Sequence, residues 1–158
     1  MSNTLDTPFL SIIIPVFNEE YRLPSSLVKI HDFLIKQSYS FEVIVVENGS
    51  SDHTVDVVLE SQKNLPYMRL IQTPKRGKGL AVKLGMLAAR GQYRFLADAD
   101  LSMPIQEIIK FLPPQLEKVE VVIGSRELPL SKRFDEPVYR HLIGRGFNTL
   151  VRWLTLPG

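Results

Sequence analysis

The chain has 158 residues and 44% hydrophobic content, enough for one domain with a packed core. It contains no cysteine, which excludes disulfides, thiolate metal sites and cysteine nucleophiles, and its formal net charge of +2 is too small to argue for nucleic acid when no aromatic-rich basic ribbon accompanies it. Residues 1–8 show no basic region followed by an apolar core, and no apolar stretch approaches the ~18 residues that span a bilayer, so the expectation is a cytoplasmic protein without a signal peptide.

After a nine-residue N-terminal extension, residues 10–16 form an apolar, β-branched run that predicts a strand covered on both faces. The next such run is 41–46, and 68–72, 93–97 and 119–123 are weaker versions of the same signal. Helical spacing separates them. Leu23, Leu27, Ile30 and Leu34 mark one buried face; Val55, Val58 and Leu59 mark a second, Leu80, Leu84 and Leu87 a third, and Ile105, Ile108, Ile109 and Leu112 a fourth that Pro113 and Pro114 stop. Strand and helix in alternation imply βαβ units and a mainly parallel sheet, whose ligands bind beyond the carboxyl ends of the strands.

The residues at those ends are therefore the candidates. Pro15-Val-Phe-Asn-Glu-Glu20 follows the first strand and contains no glycine, so it is not a dinucleotide fingerprint and a nicotinamide-dependent dehydrogenase is not expected. Glu47, after the second strand, could accept hydrogen bonds from a base or a ribose, or be a solvated loop acid. Asp52 reads as the N-cap of the following helix, with Asn48 and Gly49 shaping the turn. Lys75-Arg-Gly-Lys-Gly79 precedes a helix, where free N–H groups and cations favour phosphate, although it is not a Walker A loop. Gly124-Ser-Arg126 is a further small turn with a cation.

The most informative segment is Phe95-Leu-Ala-Asp-Ala-Asp-Leu-Ser-Met-Pro104. Two Asp spaced i, i+2 after a strand project to one side, and a pair of open carboxylates suits Mg²⁺ or Mn²⁺ that takes its remaining oxygens from a phosphorylated ligand. The same residues could instead end the strand and cap a helix through Asp100 or Ser102. A third reading is the Asp-x-Asp loop of aspartyl-phosphate phosphatases, with Asp98 the nucleophile, but that loop normally follows the first strand of its domain.

In order and spacing, Ser11-Ile-Ile-Ile-Pro-Val-Phe-Asn-Glu-Glu20, Val45-Val-Glu-Asn-Gly-Ser-Ser-Asp52, Gly77-Lys-Gly79, Asp98-Ala-Asp100 and Gly124-Ser-Arg126 resemble glycosyltransferase family 2. Within it, the chain is most similar to the dolichyl-phosphate or polyprenyl-phosphate sugar transferases of the glucosyl branch. The resemblance implies a GT-A fold, a Rossmann-like mainly parallel sheet flanked by helices, in one nucleotide-sugar-binding domain over 10–158. It implies an inverting enzyme that moves a sugar, glucose first, from a UDP-sugar to polyprenyl or dolichyl phosphate with Mg²⁺ or Mn²⁺. Pro15, Asn18, Glu20 and Glu47 would lie by the nucleoside, Asp98 and Asp100 would bracket the ribose, metal and diphosphate with Asp100 preferred over Asp98 as direct metal ligand, and Lys78 and Arg126 would neutralise phosphates of donor or acceptor. Asn48 stands where many relatives carry a second Asp.

A lipid-phosphate acceptor is already ionised near neutral pH and needs no general base, which fits structural or solvated roles for His31, His53 and His141. In 138–156, Ile143, Phe147, Leu150 and Leu154 share a helical face opposite Arg145 and Arg152. The spacing favours a core-packing helix, and the lipid acceptor adds the alternative of peripheral contact with the inner face of a membrane. Arg133, Arg140 and Arg145 could then meet the acceptor phosphate. The relatives continue past this point with an Asp-x-x-Cys-Gly-type segment and acceptor-site elements, so the acceptor half is expected to be cut short and a donor-binding module without transfer activity stays open.

Overall fold

The computed structural model describes residues 7–116, 119–124, 146–147, 149–150 and 153–154. The chain divides into two units, Met1–Lys118 and Val119–Gly158.

In the first unit, β1 (Leu10–Val16), β2 (Phe41–Glu47), β3 (Met68–Gln72) and β4 (Tyr93–Leu96) form a four-stranded sheet of order β3-β2-β1-β4. Every pairing is parallel, with Leu10 opposite Phe41 and Tyr93, and Val43 opposite Met68. The helices are α1 (Leu23–Leu34), α2 (Thr54–Gln62), α3 (Lys78–Ala88) and a 3-10 helix over Ile105–Phe111. Alternation along β1 sends Leu10, Ile12, Ile14 and Val16 into one core with α1, Val58 of α2 and the 3-10 helix, and Ile13 into a second core with α3. All of β1 is buried, which is why its sequence is continuously apolar rather than alternating.

The chain steps β1, β2, β3 in one direction and then returns to the far side of β1 for β4. A single crossover hand then requires α3 on the opposite face from α1 and α2, as observed. The reversal creates a switch point between β1 and β4. Pro15 lies beyond the last β1–β4 pair, Ile13 with Leu96, so its missing N–H breaks no bond to β4 and the two strand ends diverge.

The helical faces depart from the spacing in places. Leu23, Leu27, Ile30 and Leu34 are all buried. In α3 the buried residues are Ala81 and Gly85, while Leu87 is 72% exposed, because the helix lies so close to the sheet that a Cβ on Gly85 would meet Ile13 Cγ2 at 2.3 Å. Leu59 of α2 is likewise exposed. The segment before Pro113 is a 3-10 helix, and its repeat of three buries Ile105 and Ile108 while turning Ile109 outward.

In the second unit, residues 119–123 are not a strand: they have no ladder partner among the described residues, and Val121 and Ile123 are exposed. The described helical residues include Phe147, Leu150, Trp153 and Leu154, all exposed, so core packing of that apolar face is not seen among the described residues. No described helix is long and apolar enough to cross a membrane.

Candidate functional site

The loops after β1 and β2 are tied by side-chain bonds at successive positions. Asn18 N–H donates to Ser50 Oγ at 3.0 Å and Ser51 N–H to Asn18 Oδ1 at 2.9 Å. Glu19 N–H donates to Thr54 Oγ1, Glu20 N–H to Asp52 Oδ2, and His53 N–H returns to Glu20 Oε2 at 2.8 Å. Asn18 takes φ 53°, a left-handed conformation that asparagine tolerates. Asp52 is thus a tie between loops, with Thr54 N–H and Oγ1 on its other oxygen, rather than the N-cap of α2. Burial pushes its carboxyl up, and the bonds from Thr54 and the Glu20 backbone outweigh that and hold it low.

Glu47 is not a solvated loop acid. It ends β2 at 5% exposure and accepts the Ser50 N–H. Beside it Asn48, 4% exposed, donates through its side-chain amide to the Val16 carbonyl and accepts the Gly77 N–H. Three strand-end loops therefore meet at one amide. Gly77, at φ 145°, turns the chain into α3 in a backbone conformation that side chains disfavour, and among the described residues no side chain caps the first turn, which leaves its N–H groups available.

After β4, burial alternates: Ala97 and Ala99 face inward, Asp98 and Asp100 outward. The Asp pair sits in a turn closed by Leu101 N–H on the Asp98 carbonyl at 3.0 Å. Leu101 is held at φ 49°, a costly conformation for a bulky residue, while its side chain packs against the first core. Asp100 Oδ1 accepts Ser102 Oγ at 2.7 Å and Ser102 N–H at 2.9 Å, and the Ser102 hydroxyl above all holds its carboxyl below the ordinary range. The turn-forming role and the outward carboxylates thus coexist. Asp98 Oδ1 receives Lys78 Nζ at 2.5 Å.

These parts surround an open cavity of about 420 Å³ at the β1–β4 switch point. Pro15, Lys78, Asp98 and Asp100 line it, as their sequence positions suggested. Asn18, Glu20 and Glu47 do not; they hold the loops around it. Phe17, Glu19 and Arg76 also line it, although only their motif neighbours carried an assignment. The Arg76 guanidinium lies 4.9 Å from the Phe17 ring centroid. Their signal was an aromatic at a strand end and a cation two residues before Lys78. His31 bonds Tyr67 Oη and His53 pairs with Asp56, both away from the cavity. Arg126, Arg133, Arg140, His141, Ile143, Arg145 and Arg152 lie outside the described residues.

The donor chemistry fits a hard divalent cation. Two outward carboxylates share one cavity wall, with Asp98 Oδ2 and Asp100 Oδ2 uncommitted among the described residues, and cations of this kind accept one or two carboxylates completed by phosphate oxygens. Among the described residues no group of three or more His, Asp or Glu would hold a metal without such a ligand.

The parallel sheet and its flanking helices have the GT-A fold of the glycosyltransferase structure they superpose on, with two carboxylates, a lysine and a helix N-terminus meeting at the switch point. The chain belongs to glycosyl transferase family 2, whose model matches residues 11–156. It is 38% identical over 162 residues to a dolichyl-phosphate beta-glucosyltransferase of Drosophila melanogaster, covering 92% of this chain and 49% of that protein. It is 33% identical over 176 residues to the dolichyl-phosphate beta-glucosyltransferase of Dictyostelium discoideum, covering 99% and 52%. Among solved structures, a mannosyltransferase from Pyrobaculum calidifontis in complex with GDP-Man and Mn²⁺ superposes with TM-score 0.56 at 27% identity, over 65% of this chain and 30% of that one. The chain thus spans about half the length of the curated relatives it matches. Family membership displaces the phosphatase reading of Asp98.

Proposed function

We propose that this chain is the donor-binding half of an inverting glycosyltransferase that moves glucose from UDP-glucose to polyprenyl or dolichyl phosphate with Mg²⁺ or Mn²⁺. The observation that carries the reading is the convergence of Asp98, Asp100 and Lys78 on one cavity at the β1–β4 switch point. The dolichyl-phosphate glucosyltransferase relatives support the acceptor class and the sugar, and the Mn²⁺ and nucleotide sugar in the Pyrobaculum neighbour support the cofactor.

Pro15 and Phe17 form the wall for the nucleoside, with Glu47, Asn18 and Glu20 setting that wall through the loops they tie. Asp98 and Asp100 would hold the divalent ion, which when bound supplies Lewis-acid stabilisation of the leaving diphosphate. Lys78 and the first-turn N–H groups of α3 meet the phosphate oxygens, so negative charge that grows there faces fixed positive charge. Arg126 is expected to add a further cation. No described histidine reaches the cavity, and none is needed when the attacking phosphate oxygen is already ionised.

The reading is tested by incubating the chain with labelled UDP-glucose, Mn²⁺ and a short-chain polyprenyl phosphate. Lipid-linked glucose should form and Asp100→Ala should abolish it. Because the chain spans half of its relatives, a second reading is a donor-binding module: donor would then bind with metal and no lipid-linked sugar would form. Coupling to the inner face of a membrane belongs to the same proposal, since the acceptor resides there.

A further inference from the structure

Lys78 opens α3 in the loop that follows β3, and Asp98 follows β4, so their 2.5 Å contact joins two loops across the cavity. Both side chains are about half exposed or more, and the ammonium rides on a flexible stem. Among the described residues no other cation pairs with Asp98 or Asp100: Arg76 lies over Phe17, and Arg22 is held by both oxygens of Glu19. One oxygen of the carboxylate pair is thus taken by a cation that belongs to the protein.

We propose that Lys78 couples the two ligands of this site. It neutralises Asp98 when neither nucleotide nor divalent ion is bound, and it opposes entry of the ion in that state. When a nucleoside diphosphate arrives, the ammonium transfers to phosphate oxygens and Asp98 is freed for the ion. The inference rests on the donor-site reading above and goes beyond it: nucleotide and ion bind cooperatively because one ammonium is exchanged between two anions. By linkage, each ligand strengthens the other by the same factor, and part of that factor resides in Lys78.

The consequence runs against the usual effect of deleting a phosphate-binding lysine. Lys78→Met should tighten Mn²⁺ binding in the absence of nucleotide by roughly two- to fivefold, the range that an exposed ion pair allows. It should weaken UDP binding in the absence of metal, and reduce the factor by which UDP tightens Mn²⁺. Arg76→Met is the charge control. It removes a cation from the same cavity without touching Asp98, and should change Mn²⁺ binding alone by less than about 1.5-fold at physiological salt. Both residues are exposed, so neither substitution disturbs the core.

The experiment is electron paramagnetic resonance of free Mn²⁺ titrated into the full 158-residue chain, with and without UDP, for the unsubstituted protein and both variants. Tighter Mn²⁺ binding by Lys78→Met alone, with a smaller UDP-induced gain, supports the exchange. Unchanged or weaker Mn²⁺ binding by Lys78→Met, or an equal gain in Arg76→Met, overturns it while the donor site stands, provided the unsubstituted chain binds Mn²⁺ with UDP. If that chain binds no Mn²⁺ even with UDP, the donor-site reading fails and takes the exchange with it.

Discussion

Asn48 donates both its backbone and its side-chain N–H to the carbonyl of Val16, at 3.2 and 2.8 Å, although 32 residues separate them. That double bond of β1 to β2 is made at the point where the cavity begins, and the same amide accepts the Gly77 N–H at 3.2 Å. Asn48→Asp keeps the shape and replaces the donor with an acceptor facing a carbonyl. We expect a loss of about 1–3 kcal/mol at neutral pH. The folded state should raise the new carboxyl's pKa, so the loss shrinks as pH falls and a protonated oxygen again donates to Val16. Urea denaturation of both proteins at pH 7 and pH 4.5 measures this, and a difference independent of pH would contradict the assigned donor.

Among the described residues Glu42 is the most buried charged group. Its carboxylate accepts Ser11 Oγ and Arg90 N–H at 2.7 Å each and Arg69 Nη2 at 2.9 Å, at the end of the sheet opposite the cavity. Burial alone pushes its carboxyl up; the bonds from Arg90, Ser11 and Arg69 more than offset this, and it titrates below its ordinary value of 4.5. A pKa depressed by folding stabilises the protein fully above 4.5 and ceases to do so as pH falls through the folded value. Glu42→Gln should cost about 2–3 kcal/mol at pH 7. Its unfolding free energy should approach that of the unsubstituted protein as pH drops below 4.5, because the latter loses the same contribution.

Gly85 tests the packing of α3. A Cβ there would lie 2.3 Å from Ile13 Cγ2 and 3.0 Å from Val46 Cγ2, both on buried strands. At an exposed helical site Gly→Ala would stabilise by about 1 kcal/mol. Here Gly85→Ala should destabilise by about 1–3 kcal/mol through overpacking, read as a lower denaturation midpoint at unchanged slope.

β1 was legible because burial on both faces writes a nearly continuous apolar run, and β3, where only Met68 is buried, was legible from the weaker signal of Met68, Leu70 and Ile71; both begin and end at the residues the sequence suggested. α3 was legible as a helix but not in its buried face, since close approach to a sheet selects Ala81 and Gly85 over the larger leucines that a hydrophobic stripe points to. The 119–123 run shows the converse, apolar composition without a strand partner among the described residues. In the site, Asp98, Asp100 and Lys78 could be read from residue type and position after a strand. The ties of Asn18, Glu20 and Asp52 could not, because each partner lies more than 30 residues away and only the folded sheet brings the loops together. Glu42 was hidden in the same way, as one acid in an apolar run whose partners come from β1, β3 and the segment after α3.

The proposed function requires that the cavity at the β1–β4 switch point bind a nucleotide sugar through a divalent ion. Calorimetric titration of the chain with UDP-glucose and with GDP-mannose, each with and without Mn²⁺, tests it most directly. UDP-glucose should bind in preference to GDP-mannose, in a manner dependent on Mn²⁺ and lost in Asp100→Ala. Binding that is indifferent to the metal, or no binding of either nucleotide sugar, would contradict it.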